Sequence, residues 1–133
     1  MIVVDTNLLL RYLLNDDAAQ AARARRLLAT TPRFTVTPTI VLELVWVLEC
    51  SDCSRSEIVG ALRHVCGLPN MRLPNETAMF RAVQWFEQGL DFADAMHLAL
   101  SPANATLMTF DKDFVTRARR VDAFPNVALC PPR

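Results

Sequence analysis

The chain has 133 residues, of which 52% are hydrophobic and 21% charged, and its formal net charge at pH 7 is zero. These values are typical of a soluble globular protein with its own core, so we predict a single domain over residues 1–133. With a neutral charge balance, strong non-specific attraction of the whole chain to nucleic acid is not predicted, and a polyanionic partner would need a local basic patch. Lys112 is the only lysine, so almost all basic side chains are arginines; genome base composition explains this most simply, and phosphate recognition is the functional alternative.

The chain shows no sign of export or of membrane insertion. It opens on Ile2-Val3-Val4-Asp5, without the basic segment and long apolar segment of a secretory signal. The longest apolar stretch, Ile40 to Leu48, is too short to span a bilayer and contains Glu43. We therefore expect a cytoplasmic protein with no membrane partner. Its cysteines fit no common zinc-finger spacing and are expected to be reduced and to pack; they are Cys50, Cys53, Cys66 and Cys130.

Strands and helices alternate along the chain. Apolar or β-branched runs predict strands at residues 2–4, 34–37, 71–73 (weak), 106–110 and 126–129. Capping residues and helical spacing predict helices at residues 8–14, 17–30, 38–49, 54–67, 76–88, 91–101 and a short one after residue 111. We expect Thr6 or Asn7 to cap the first helix. The alternation predicts an α/β fold with a parallel sheet of about five short strands flanked by helices.

Four carboxylates stand beside apolar segments, which is costly unless something cationic satisfies them. Asp5 and Asp111 each follow a predicted strand, Asp94 lies in the first turn of the helix that leads into the 106–110 strand, and Glu43 lies in the second turn of the helix after the 34–37 strand. Ligands of an open parallel sheet bind beyond the carboxyl ends of its strands. We therefore expect the four carboxylates to converge at that edge.

A hard divalent cation would explain such a cluster, because Mg²⁺ and Mn²⁺ prefer oxygen ligands. Repulsion and desolvation would raise the pKa values of clustered carboxyls, and a bound cation would keep them ionised. We predict Asp5, Asp94 and Asp111 as ligands of Mg²⁺ or Mn²⁺, with Glu43 close by. The neighbouring side chains have simpler interpretations: Asp91 as a helix N-cap, Asp113 as a solvated acid, and His97 as a residue on a helix face.

The order of these residues resembles that of PIN-domain nucleases. The opening Ile-Val-Val-Asp5-Thr6-Asn7 resembles the start of that family, and Glu43, the segment Asp91 to Ala99 and the segment Thr109 to Phe114 follow in the family's order. The resemblance covers essentially the whole chain. It implies a PIN-like parallel sheet flanked by helices and the activity of a Mg²⁺- or Mn²⁺-dependent endoribonuclease.

Carried over by position, the resemblance assigns catalytic roles to Asp5, Glu43, Asp94 and Asp111, with Asp113 as a candidate fifth acid. Polar support for water or phosphate would come from Thr6, Asn7 and Thr109. The length of the chain and the segments FADAMHLA and TFDKDF resemble the VapC-type toxins of bacterial toxin–antitoxin pairs. That resemblance implies growth inhibition by RNA cleavage, a small VapB-like antitoxin as partner, and a homodimer.

The sequence lacks residues that two other classes of protein require. An aspartyl phosphatase needs a second Asp two residues after Asp5, where this chain has Asn7, and a receiver domain needs an acid pair after its first strand and a lysine after its last. Two alternatives remain open: a non-catalytic PIN-like binding module, and a PIN nuclease that processes RNA without an antitoxin.

Overall fold

Seven helices and four short strands alternate along the chain in the computed structural model, which describes all 133 residues. The backbone divides into two compact units, Met1–Pro74 and Asn75–Arg133. The α/β class expected from the sequence is confirmed, whereas the single domain stays a prediction. None of the helices is long and apolar enough to cross a membrane.

The first unit contains two strands and four helices. They are β1 (Ile2–Val3), α1 (Thr6–Leu14), α2 (Ala18–Thr30), β2 (Phe34–Thr35), α3 (Pro38–Cys50) and α4 (Arg55–Cys66). β1 and β2 pair in parallel, with Ile2 opposite Phe34. Each strand is shorter than predicted because a helix N-cap follows within two residues. The cap of α1 is Asp5, which corrects the expectation of Thr6 or Asn7.

The strand predicted at residues 71–73 is wrong. Met71 forms only an isolated bridge to Phe34, supported by a 2.8 Å hydrogen bond from the Arg72 amide to the Phe34 carbonyl. Pro69 and Pro74 flank this segment, and proline has no N–H to extend a ladder. The fold therefore has four strands, rather than about five.

The second unit contains α5 (Glu76–Glu87), α6 (Phe92–Leu100), β3 (Thr106–Thr109), α7 (Lys112–Arg120) and β4 (Asn126–Leu129). β3 and β4 pair in parallel from Thr106 opposite Asn126 to Thr109 opposite Leu129. Because α7 connects them, the segment is a βαβ crossover, which places the start of α7 at the carboxyl end of β3.

Each unit has its own buried apolar side chains. In the first unit they include Leu9, Phe34, Val36, Leu44 and Ile58. In the second unit Phe86 and Phe92 meet edge to face at 5.5 Å between ring centroids. Phe92 is the residue after the Asp91 cap, so its burial fixes the start of α6 and with it the backbone of Asp94 two residues later.

Candidate active site

Asp5 lies at the carboxyl end of β1 and is the N-cap of α1. Its Oδ1 accepts a 2.9 Å hydrogen bond from the Leu8 amide, while Oδ2 accepts none, and the side chain is exposed. Buried neighbours, Val4 and Leu9, hold the backbone on both sides. One oxygen is therefore fixed by the helix and the other is available to a ligand.

Thr6 connects the start of α1 to the start of α3. Its side chain is 5% exposed, and its hydroxyl donates to the Ile40 carbonyl over 3.4 Å. Glu43 follows Ile40 by three residues on α3, is exposed and makes no hydrogen bond or ion pair. The Thr6 hydroxyl thus links the start of α1, which Asp5 caps, to the first turn of α3, the helix that carries Glu43. Both helices begin just after the strands of the β1–β2 pair.

Asp94 and Asp91 share the first turn of α6. Asp91 is the N-cap, as the sequence predicts, and one of its oxygens accepts from the Asp94 amide over 3.1 Å. The carboxylate of Asp94 is half-buried and receives no hydrogen bond. A partly desolvated carboxylate without a donor is unusual, because burial disfavours its charged form.

The surroundings of Asp94 act mainly against its ionised form. Burial raises the pKa of this carboxyl, and repulsion by Asp91 and then Asp111 raises it further. His97 and Arg117 act in the opposite direction. The structure therefore brings Asp94 and Asp111 close enough to repel one another, although 17 positions of sequence separate them.

Asp111 begins α7 at the end of β3. Its Oδ1 accepts a 3.1 Å hydrogen bond from the Phe114 amide, which leaves Oδ2 without a donor. The Thr109 hydroxyl accepts from the Asp111 amide over 3.0 Å and so fixes the turn between strand and helix. Asp113 is exposed in the first turn of α7 and does not contribute to the shift at Asp94.

The acids are more exposed than the sequence suggested. Asp5, Glu43 and Asp111 all face solvent, so the expected cost of burying charge applies only to Asp94. Glu43 interrupts an apolar run but lies on the exposed side of α3, together with Trp46. Neither unit by itself gathers three or more His, Cys, Asp or Glu side chains that could hold a metal ion.

The structure places further side chains beside the acids that the sequence did not assign to the site. Arg117 and His97 act electrostatically on Asp94 from α7 and α6. Arg11 and Arg23 line a cleft in the first unit together with Asp5. No spacing within a single helix joins Arg117 to Asp94 or Arg23 to Asp5, because each pair lies on different helices that meet only through packing.

Comparison with known protein families decides the identity of the fold. Residues 2–120 match the PIN domain family, and this range includes all of the candidate acids. The chain belongs to the PIN domain family. No match was found among curated proteins or among solved structures. PIN domains are generally metal-dependent nucleases, so this PIN domain has a nuclease-type function.

Proposed function

We propose that this PIN domain is a Mg²⁺- or Mn²⁺-dependent endoribonuclease of the VapC type, the toxin of a toxin–antitoxin pair. The observation that carries the proposal is the half-buried Asp94 carboxylate, which has no hydrogen-bond donor and is repelled by Asp91 and Asp111. A divalent cation reverses that electrostatic balance, because it favours the ionised form of every carboxylate around it.

The donor set fits such a cation. Asp5, Asp94 and Asp111 would hold it through carboxylate oxygens, with Glu43 close by, and all belong to the matched family segment. Asp5 and Asp111 each have one oxygen fixed by a helix amide and the other without a donor. N-capping therefore preorganises two of the ligands before any cation binds.

When bound, the cation supplies polarisation of a phosphodiester and a lowered pKa for water. The protein's own side chains would hold the cation, bind phosphate and fix the backbone of the ligands. The charge of each carboxylate keeps the cation in place. The exposed amide of Asn7, two residues after Asp5, has donors for a phosphate oxygen. Thr109 holds the Asp111 backbone through the hydrogen bond to its amide.

Single-stranded or looped RNA is the proposed substrate, since sequence-selective contacts to RNA favour unpaired segments. The test is cleavage of an unstructured RNA by the purified protein with Mg²⁺ or with chelator. We expect cleavage only with the metal. Cleavage that is unchanged by chelator would contradict the metal mechanism, and no cleavage with either metal would contradict the nuclease.

A small VapB-like antitoxin is proposed as the partner that inhibits the enzyme. An arginine of the antitoxin would bridge two of the carboxylates with its planar fork and compete with the cation. Expression of the toxin alone should arrest growth, and Asp5→Asn should relieve the arrest. If expression is harmless and no small neighbouring protein co-purifies, the toxin role is wrong even where the nuclease survives.

A homodimer is proposed as the assembly. Large apolar side chains remain exposed on two helices: Trp46 of α3 is 65% exposed and Phe80 of α5 is 47% exposed. Burying them against a second copy would remove apolar surface from water. A monomeric mass at micromolar concentration, measured by light scattering without any partner, would contradict the dimer.

A further inference from the structure

A cleft of about 410 Å³ lies between α1 and α2 in the first unit. Asp5 and Asn7 line it from the start of α1, and Arg11 and Arg23 line it from one helix each. Apolar contacts come from Leu8 and Leu27, among others. A volume of this size falls within the range of small-ligand sites and would hold about one nucleotide.

The two arginines of the cleft differ in whether their charge is paired with an acid. Nη1 of Arg11 donates to both carboxylate oxygens of Asp16 at 3.0 Å, and its Nε donates to the Gln20 side chain at 2.7 Å. The charge of Arg11 is therefore balanced and its position fixed. Arg23 makes no hydrogen bond and no ion pair. It is the unbalanced cation of the cleft.

We propose that this cleft binds the nucleotide next to the scissile phosphate of a single-stranded RNA, with Arg23 on its backbone phosphate. The inference rests on the proposed function, because Asp5 is then the end of the cleft at which cleavage occurs. A guanidinium presents two parallel donors that match two phosphate oxygens. Leu8 and Leu27 offer an apolar contact to ribose or base without reading a base edge, so binding here is independent of base identity.

Charge favours an RNA over an acidic protein segment. The cleft has one unbalanced cation and one acid that would repel carboxylates, Asp5, in the absence of a metal. A nucleotide carries a single phosphate charge, and its neighbouring phosphate along the strand would reach the cation that Asp5 helps to hold. An acidic peptide would bring several carboxylates toward Asp5 with no second free arginine to meet them.

The test is binding of a short unstructured RNA in chelator, so that no hydrolysis intervenes. Arg23→Ala is compared with Arg26→Ala, a matched control because Arg26 is exposed on the same helix and does not line the cleft. We expect Arg23→Ala to weaken affinity by about three- to tenfold, as for the loss of one partly exposed charged contact. The slope of log affinity against log salt should fall by about 0.7, the value for one phosphate of a single strand. Arg26→Ala should leave both unchanged.

One further variant, a kinetic measurement and a second probe sharpen the result. Arg23→Lys should restore the salt slope and only part of the affinity, because it keeps the charge and loses the fork. With Mg²⁺ present, Arg23→Ala should raise KM and leave kcat near the wild-type value. Equal affinity and slope for Arg23→Ala and Arg26→Ala would overturn the inference. If Arg23→Ala loses poly-glutamate binding but keeps RNA binding, the inference is also overturned, in favour of an acidic protein segment.

Failure of the proposed function has a different signature. If the wild-type protein binds RNA through Arg23 but does not cleave it with either metal, the cleft stands as an RNA site and the nuclease proposal fails. If the wild-type protein cleaves RNA and Arg23→Ala matches Arg26→Ala throughout, the nuclease stands and the cleft is not a subsite.

Discussion

Asp94 lies in the first turn of α6, Asp111 is the N-cap of α7, and the charge of Asp111 raises the pKa of the Asp94 carboxyl. Burial is the largest cause of the raised pKa of Asp94, followed by the charge of Asp91 and then that of Asp111. The βαβ crossover positions Asp111, because it places the start of α7 at the carboxyl end of β3. The fold thus maintains an electrostatic cost that a divalent cation would offset.

Removing the charge of Asp94 should stabilise the metal-free protein. A carboxyl with a raised pKa in the folded state contributes stability that is full below its unfolded pKa and is lost as pH rises through its folded pKa. Asp94→Asn has no such loss. In chelator, its melting temperature should exceed that of the wild type at pH 7, and the difference should shrink as pH falls below the ordinary range of an Asp carboxyl. A lower melting temperature for Asp94→Asn at pH 7 would contradict this assignment.

The two acids of the TFDKDF segment should separate in function. Asp111→Asn removes the carboxylate that acts on Asp94, and RNA cleavage should fall by about a hundredfold or more, as for the loss of a catalytic electrostatic contact. Asp113→Asn is the matched control, since Asp113 is exposed on the same helix turn and does not act on Asp94. It should retain most activity in a single-turnover assay. If Asp113→Asn loses cleavage and Asp111→Asn retains it, Asp113 rather than Asp111 is the catalytic acid.

Thr6 should act through position rather than chemistry. Thr6→Val keeps the shape of the side chain and removes the hydrogen bond to the Ile40 carbonyl. Because that bond is long, at 3.4 Å, we expect a cost of about 0.5 kcal/mol in urea unfolding. Thr6→Ser retains the hydroxyl. Comparing the RNA cleavage rates of the two variants at equal metal saturation shows how much the hydroxyl affects cleavage. If Thr6→Val abolishes cleavage and Thr6→Ser preserves it while both fold, Thr6 contacts the substrate directly.

Cysteine reactivity should follow burial. Burial raises the pKa of Cys66 from 9.0 to about 11, so at a given pH it has about a hundredfold less thiolate than an unperturbed thiol. Cys50 and Cys130 are exposed. Mass spectrometry after brief alkylation at pH 8 should therefore find Cys50 and Cys130 modified well before Cys66. Early modification of Cys66 would mean that α4 opens readily.

Local signals in the sequence predicted much of the fold. Asp91 was predicted as a helix N-cap, and a short helix was predicted after Asp111; the structure confirms both, with Asp111 as the cap of that helix. Asp5 was missed as a cap because Thr6 and Asn7 are equally good capping types and only backbone geometry distinguishes them. The prediction of a strand at Met71 was wrong for a local reason, since Pro69 and Pro74 limit the pairing of this segment to a bridge.

Long-range packing set the limit for the site. The rule for parallel strands predicted that Asp94 and Asp111 lie at one sheet edge, and the charge of Asp111 does act on Asp94. The exposure of Glu43 did not, because its neighbours in sequence are apolar and only the packing of α3 decides which side faces solvent. The cleft of Arg23 depends on the contact between α1 and α2, which no pattern within either helix encodes.

Mn²⁺ binding, measured by electron paramagnetic resonance, tests whether Asp5, Asp94 and Asp111 are ligands of the proposed divalent cation. Free Mn²⁺ is titrated with the wild-type protein, with Asp5→Asn from the first unit, with Asp111→Asn from the second, and with Asp113→Asn as control. We expect either Asp5→Asn or Asp111→Asn alone to abolish the tightest Mn²⁺ binding and RNA cleavage together, while Asp113→Asn retains both. If a folded Asp5→Asn protein binds Mn²⁺ as tightly as the wild type, the assignment of Asp5 as a metal ligand is contradicted.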